Sequence, residues 1–130
     1  MSRGLLDTSV FIATEGGRPV GALPAEGAIS VVTIGELELG VLAAGSDAVR
    51  ARRAQTLALA RTADPIPVTE ATMSHFARLV HACRSAGTRP TVLDAIIAAT
   101  ALQHGLPVFT QDADFDLIAT AHSGLDVRRV

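Results

Sequence analysis

A helix, a strand and an acidic segment follow one another in LDAIIAATALQHGLPVFTQDADF, residues 93–115. The pattern predicts a helix over residues 92–104, which the following glycine is suited to end. LPVFT, residues 106–110, is a short apolar run of the kind that forms a buried strand. Asp94 then falls in the first turn of the helix, and Asp112 comes just after the strand. The stretch predicts one helix-to-strand unit of an α/β fold, with a carboxylate beside each element.

The N-terminal part of the chain predicts a strand followed directly by a helix. Residues 4–7 are a short apolar run ending in Asp7, and Thr8 or Ser9 is suited to cap a helix that starts near Val10. An ionised carboxylate surrounded by apolar residues costs several kcal/mol unless it is paired, hydrogen-bonded or bound to a metal. Asp7 therefore needs an explanation, and a cap on the following helix is the simpler one.

Further strands and helices alternate along the rest of the chain. Strands are predicted at AISVVT (28–33), PIPVT (65–69) and LDVRRV (125–130), and helices at IGELELGVLAAG (34–45), at 46–62 and in the stretch that Gly87 ends. TEGGRPVGALPAEG (14–27) is rich in glycine and proline and predicts a loop or a broken helix. The alternation predicts a single α/β domain over residues 1–130, with a mostly parallel sheet of four to five strands flanked by helices on both faces.

Composition limits the possible functions. With 130 residues, 48% of them hydrophobic, the chain fits one domain with a substantial core. The net charge of −2 means that any contact with nucleic acid must depend on a local basic patch. A lone cysteine, Cys83, suits a reducing compartment, and neither a membrane span nor a signal pattern is apparent, so a cytoplasmic protein is expected.

The absence of lysine excludes several enzyme classes, since all eleven cationic residues are arginine. Phosphatases of the haloacid dehalogenase type place an aspartate after the first strand, but they need a second aspartate where this chain has Ser9, and normally a lysine. The absence of lysine also excludes phosphoacceptor receiver domains. The chain also contains no glycine-rich nucleotide-binding loop of either common type.

Four carboxylates are expected at the same edge of the sheet. Because the chain leaves each parallel strand at its carboxyl end, the residues that follow strands and begin the next helices meet there. Each carboxylate also has a simpler interpretation: Glu36 and Asp94 each follow a threonine by three residues, as in a capping box, and Asp112, Asp114 and Asp116 could be turn residues. The four are Asp7, Glu36, Asp94 and Asp112.

Taken together, the carboxylates favour a metal site. Four negative charges that converge without a lysine or a nearby arginine would repel one another strongly at neutral pH. A divalent cation removes that repulsion, and carboxylate oxygens suit Mg²⁺ or Mn²⁺. Such an ion can activate water and stabilise the charge that develops on a phosphodiester.

Three segments carry a resemblance to a known family. LLDTSVFIA (5–13), VVTIGELELGVLAA (31–44) and LDAIIAATALQHGLPVFTQDADF (93–115) resemble the motifs of PIN-domain ribonucleases, specifically the VapC-type toxins of VapBC toxin–antitoxin systems. The resemblance covers nearly the whole chain. Residues 14–27 depart from it, because many relatives look more clearly helical there.

The resemblance implies roles for individual residues. The family's acidic quartet, which holds Mg²⁺ or Mn²⁺ and carries catalysis, matches Asp7, Glu36, Asp94 and Asp112. Asp114 matches a further acidic position that assists in some members. Small hydroxyl residues near the metal match Thr8, Ser9 and Thr110.

The resemblance also implies an activity and partners. It implies an endoribonuclease that cuts tRNA, rRNA or mRNA, that forms a homodimer, and that a cognate VapB-type antitoxin inhibits in a heterotetramer or larger assembly. The antitoxin in this family commonly places an arginine or an apolar side chain in the acidic pocket. The alternative is a non-catalytic PIN fold that binds RNA or a protein, and its hallmark would be the loss of an acidic position.

Arginine residues supply the candidate RNA contacts. Arg89 lies just before the helix that carries Asp94 and is the better candidate for a phosphate contact. Arg50, Arg52 and Arg53 lie together on one predicted helix, where a solvated face is the simpler interpretation.

Overall fold

The computed structural model describes residues 2–130 and shows an α/β fold. The strands are β1 (Arg3–Leu6), β2 (Glu26–Ala28), β3 (Val108–Thr110) and β4 (Val127–Arg129). The helices are α1 (Thr8–Glu15), α2 (Val31–Leu42), α3 (Asp47–Arg61), α4 (Glu70–Ser85), α5 (Val92–His104) and α6 (Asp114–Ala121). All strand pairs are parallel, in the order β2-β1-β3-β4.

Helices cover both faces of the sheet. Leu5 and Leu6 are consecutive in β1, so their side chains point to opposite faces. Leu5 belongs to a core cluster with side chains of α4, α5 and α6, whereas Leu6 packs against a second cluster formed mainly by α2 and α3. The predicted fold class, a parallel sheet between two helical layers, is confirmed.

The central strand β1 sits where the order of the strands reverses. It pairs with β2 on one side and with β3 on the other, and Leu5 lies opposite Val108 in the second pair. In open parallel sheets, a crevice opens beyond the carboxyl ends of the strands at such a point. The residues that follow β1 and β3 therefore face a common space.

The helix α5 confirms the expectation from the sequence. It runs from Val92 to His104, and Gly105 ends it with a φ of 64° in the left-handed region that glycine adopts readily. The Thr91 hydroxyl accepts a hydrogen bond from the Asp94 N–H at 3.2 Å and caps the first turn. Asp94 is thereby held at the start of the helix.

The strand predicted at residues 28–33 overlaps β2 only at Ala28, because β2 begins at Glu26 within the predicted loop and residues 31–33 are helical. Ser30 caps a helix that already begins at Val31, and its hydroxyl accepts a hydrogen bond from the Val32 N–H at 3.1 Å. The run of β-branched residues favours a strand locally, but the cap and the burial of Thr33 favour a helix. Tertiary context thus overrides the local preference.

The strand predicted at residues 65–69 is reduced to a single bridge between Ser30 and Ile66. The Ile66 N–H donates to the Ile29 carbonyl at 2.8 Å, and the Ile66 carbonyl accepts from the Val31 N–H at 3.0 Å. Prolines flank Ile66 on both sides and have no N–H with which to extend the pairing. The sheet therefore has four strands within residues 2–130, not five.

The first helix begins earlier than predicted. Asp7, rather than Thr8 or Ser9, occupies the position before the helix, and its side chain makes no capping hydrogen bond. The stretch predicted as a loop or broken helix contains the end of α1, which stops at Glu15. None of the helices in residues 2–130 combines the length and hydropathy needed to cross a membrane.

Candidate active site

Three aspartates form a compact cluster at the crevice beyond β1 and β3. One carboxylate oxygen from each of Asp94, Asp112 and Asp114 lies within 4.8 Å of the other two. Asp112 also accepts a hydrogen bond from the Asp114 N–H at 2.9 Å, an Asx turn that leads into α6. Asp112 is thus a turn residue as well as a member of the cluster. Three oxygens this close, with few other partners, suit a hard divalent cation.

Asp7 is buried beside this cluster and is held by two hydroxyl groups. Its side chain is only 4% exposed, and its Oδ2 accepts hydrogen bonds from Ser9 Oγ at 2.7 Å and Thr110 Oγ1 at 2.9 Å. The Gln111 N–H donates to Ser9 Oγ, and the Asp112 N–H donates to Thr110 Oγ1. The backbone after β3 therefore fixes both hydroxyls as donors to Asp7, which explains how the carboxyl group tolerates burial.

Glu36 is held by a chain of hydroxyl groups from a neighbouring helix. Thr8 Oγ1 donates to Glu36 Oε1 at 2.7 Å and lies 3.0 Å from Thr33 Oγ1. Because the single proton of Thr8 goes to Glu36, Thr33 must donate to Thr8. Burial raises the pKa of Glu36, the charge of Asp7 raises it further, and the hydrogen bond from Thr8 opposes the shift.

The capping interpretation of Glu36 is wrong. Ser30 caps α2, so Glu36 lies in the second turn of that helix and not in the first. Thr33, which a capping box would place before the helix, is fully buried inside it. The spacing between Thr33 and Glu36 instead puts both side chains on the same side of the helix, toward Thr8.

The pKa of Asp94 is raised by its surroundings. Its pKa is raised to about 6, first by burial and then by the negative charge of Asp7, with smaller contributions from Asp112 and Glu36, while a hydrogen bond from Thr91 opposes the shift. Asp7 and Glu36 lie outside the compact triad among residues 2–130, but both act on Asp94 through their charges. The arrangement is an acidic pocket whose charge is not balanced within the site.

We expect divalent cations to stabilise the protein more at pH 7.5 than at pH 5. Above pH 6 the Asp94 carboxylate is free to bind a cation, whereas below pH 6 a proton must first leave it. For one displaced proton, the apparent dissociation constant of Mg²⁺ rises about tenfold for each pH unit below 6. Melting temperatures measured with and without Mg²⁺ across this pH range test the expectation. An equal stabilisation at both pH values would contradict it.

The three arginines of α3 differ in exposure: Arg50 and Arg52 are exposed, as a solvated face predicts, whereas Arg53 is not. Arg89 is exposed beside α5 and lines a cavity of about 90 Å³ with Phe76 and Val80. Arg53 is half-buried and lines a cavity of about 190 Å³ together with Glu36. A cationic residue therefore does lie near the acidic pocket, and the interpretation of Arg53 as part of a solvated face is wrong.

Asp116 forms an ion pair with an arginine of β4. Asp116 accepts a hydrogen bond from Arg129 Nη1 at 3.1 Å, and Arg129 Nη2 donates to the Gln111 carbonyl at 2.9 Å. Asp116 thus positions Arg129, which binds the backbone of the segment after β3. No role near the site was predicted for Thr33, although its spacing from Glu36 was an available signal.

Comparisons with known proteins identify the family of this chain. A family model described as the PIN domain matches residues 4–121. The chain is 64% identical over 100 residues to Ribonuclease VapC8 of Mycobacterium tuberculosis, covering 75% of this chain and 89% of the relative. It is 44% identical over 123 residues to Ribonuclease VapC5 of the same organism, covering 92% and 90%.

A solved structure shares the whole fold. It is described as a member of the VapBC family of toxin–antitoxin systems, VapBC-5, from Mycobacterium tuberculosis. The TM-score is 0.86, with 37% sequence identity and full coverage of both chains.

Proposed function

The chain belongs to the PIN-domain family and within it to the VapC ribonucleases, and from this we propose that it is a divalent-metal-dependent endoribonuclease that acts as the toxin of a toxin–antitoxin pair. The observation that carries the proposal is the acidic pocket, in which the Asp94, Asp112 and Asp114 oxygens converge and the pKa of Asp94 rises to about 6. The burial of Asp94 and the repulsion between these carboxylates cost stability unless a cation offsets them.

Five carboxylates are available for one or two metal ions. Asp94, Asp112 and Asp114 form the compact group. Asp7 and Glu36 lie near it and interact with Asp94 through their charges. In residues 2–130 the hydroxyl donors reach only Oδ2 of Asp7 and Oε1 of Glu36, which leaves the other oxygen of each carboxylate free for a cation. Mg²⁺ or Mn²⁺ fits this all-oxygen donor set. When bound, the ion supplies charge stabilisation at the phosphodiester and lowers the pKa of the attacking water.

The chain's own residues hold the pocket in shape. Ser9 and Thr110 fix the rotamer of Asp7, and Thr33 through Thr8 fixes that of Glu36. Each carboxylate is thereby oriented before a cation or RNA arrives, which reduces the reorganisation needed for catalysis.

The proposal includes partners and a location. We propose a cognate VapB-type antitoxin, because the similar solved structure is a toxin–antitoxin system. An arginine of the antitoxin would fit the acidic pocket on electrostatic grounds. We further propose that the toxin forms dimers and assembles with the antitoxin. Its substrate would be tRNA, rRNA or mRNA in the cytoplasm.

Metal removal tests the activity. We expect the purified protein to cut total bacterial RNA with Mg²⁺ or Mn²⁺ and to lose the activity in EDTA, because the unbalanced acidic pocket repels the phosphodiester. Activity should return when the metal is restored. Mapping of RNA 5′ ends after brief expression would identify the target. Cleavage that continues unchanged in EDTA, or no cleavage under any metal condition, would contradict the proposal.

A further inference from the structure

A small cavity adjoins the acidic pocket on the side of α2 and α3. Glu36 and Arg53 line it together with Ile12 and Leu37, and its volume is about 190 Å³. This is smaller than the roughly 300–1,000 Å³ of sites for drug-sized ligands, yet it is large enough for several water molecules. The cavity therefore suits a compact polar group, such as one phosphate, better than a whole nucleotide.

Arg53 is fixed in this cavity by a contact to the neighbouring helix. Its Nη1 donates to the Gly40 carbonyl near the end of α2 at 2.7 Å. The aliphatic stem passes beside Gly40, where an added Cβ would lie 3.9 Å from Arg53 Cδ. The guanidinium is thus held in place while most of its five N–H donors stay available.

Arg53 lacks an acidic partner, although two glutamates line the same cavity. Among residues 2–130, no carboxylate oxygen lies within 4 Å of its guanidinium. Glu36 is engaged by Thr8 at 2.7 Å, and Glu15 is engaged by Thr56 at 2.8 Å. Each glutamate therefore has its own hydroxyl donor, and neither forms a direct ion pair with Arg53.

We propose that Arg53 and this cavity form a phosphate subsite, which binds the RNA phosphate next to the one that is cut. This inference rests on the proposed ribonuclease function. An RNA strand whose scissile phosphate lies at the acidic cluster must place its next phosphate one nucleotide away, and the cavity begins at Glu36 beside that cluster. Arginine binds phosphate through its planar fork of donors.

RNA explains the arrangement better than an acidic protein segment does. A peptide carboxylate entering the cavity would meet Glu36 and Glu15 without bringing a cation. An RNA strand would enter together with the divalent ion that offsets the acidic charges, so that only the neighbouring phosphate needs a cation from the protein.

The test compares Arg53→Gln with Arg52→Gln. Arg52 is the adjacent arginine on α3, is exposed and lies outside the cavity, so the second variant removes the same charge elsewhere. Glutamine removes the charge but is two bonds too short to reach the Gly40 carbonyl from the same position, so Arg53→Lys serves to separate loss of charge from loss of the helix contact. Binding of a fluorescein-labelled single-stranded RNA of randomised sequence would be measured by anisotropy over a range of salt concentrations, in an Asp94→Asn background that prevents cleavage.

We expect Arg53→Gln to weaken RNA binding about tenfold and to lower the slope of log affinity against log salt by about 0.7, the value for one phosphate contact on a single strand. In the active protein, KM for RNA should rise more than kcat falls. Arg52→Gln should resemble the wild type. Arg53→Lys, which keeps the charge, should retain the salt slope, and it decides the question if Arg53→Gln fails to fold.

Three results would overturn the subsite. The first is equal RNA affinity and salt slope for Arg53→Gln and Arg52→Gln while the wild type binds and cuts RNA, in which case only the subsite is wrong. The second is a salt slope that Arg53→Lys loses as well. The third is weakened binding of a purified antitoxin to Arg53→Gln with RNA binding unchanged, which would assign the cavity to the protein partner. A wild-type chain that neither binds nor cuts RNA would instead contradict the proposed function itself.

Discussion

Asp94→Asn is expected to reduce RNA cleavage by at least about a hundredfold and, at the same time, to stabilise the metal-free protein at neutral pH. Asp94 belongs to the compact carboxylate triad, so the amide removes one ligand and one charge from the proposed metal site. The same charge destabilises the fold, because burial and Asp7 raise the pKa of Asp94 to about 6. Both effects come from the negative charge of the Asp94 carboxylate.

The sign of the stability change follows from the pKa. In the folded state Asp94 binds its proton more tightly than in the unfolded state, where the pKa is near 3.8. Folding stability from this group is therefore fully present below pH 4 and is lost as the pH rises through about 6. Because solvent partly screens the group, we expect Asp94→Asn to raise the free energy of unfolding by about 1–2 kcal/mol at pH 7, and by little at pH 4.

Chemical denaturation in EDTA at both pH values, together with cleavage assays in Mg²⁺, checks this prediction. Asp47→Asn is a matched control, since Asp47 is fully exposed at the start of α3 and should change neither activity nor the pH dependence. Growth inhibition in cells lacking the antitoxin should be lost with Asp94→Asn and with Asp7→Asn. Full activity of either variant would contradict the catalytic role of the pocket.

Phe115→Ala is expected to destabilise the protein by about 3–5 kcal/mol, a large share of the roughly 5–15 kcal/mol that holds a domain of this kind together. Phe115 is the largest side chain that is completely buried, and it packs in the main core cluster. Alanine would leave a cavity there, and the surrounding helices could close it only in part.

The effect should extend to the acidic site. Phe115 directly follows Asp114, and its N–H donates to the Asp112 carbonyl at 3.3 Å. The ring therefore anchors the segment that carries two of the three clustered carboxylates. At temperatures where Phe115→Ala is still folded, we expect weaker stabilisation by Mg²⁺ than in the wild type.

Leu117→Ala provides the matched control for urea denaturation. Leu117 lies on the same helix but is 53% exposed, so its truncation should change the free energy of unfolding by less than about 0.5 kcal/mol. Phe115→Leu, which keeps most of the apolar area, should cost about 1–2 kcal/mol. Similar unfolding midpoints for Phe115→Ala and Leu117→Ala would show that Phe115 does not anchor this segment.

Local patterns were sufficient for some elements and misleading for others. The span of α5 followed from its alanine-rich pattern and a terminal glycine, both of which act within one turn of the chain. The segment at Val31 was misassigned, because three β-branched residues favour a strand until Ser30 caps the helix and Thr33 becomes buried. Burial depends on partners that are distant in sequence, so propensity alone could not decide it.

The acidic residues of the site were visible in the sequence, but their separate tasks were not. Asp7, Glu36, Asp94 and Asp112 each follow a strand or lie near the start of a helix, and parallel topology brings such positions to one edge of the sheet. The sequence by itself thus determined the fold class and the presence of an acidic edge, because both follow from local pattern and strand direction.

Only the tertiary structure decided which carboxylates lie together and which hydroxyl groups bind the others. It grouped Asp94, Asp112 and Asp114, and it assigned hydroxyl donors separately to Asp7 and Glu36. It also places Arg53 at the cavity beside Glu36 rather than on a solvated face. Hydrogen bonds and Coulomb interactions act over a few ångströms, and the residues involved are up to 103 positions apart along the chain, so only the folded chain brings them within range.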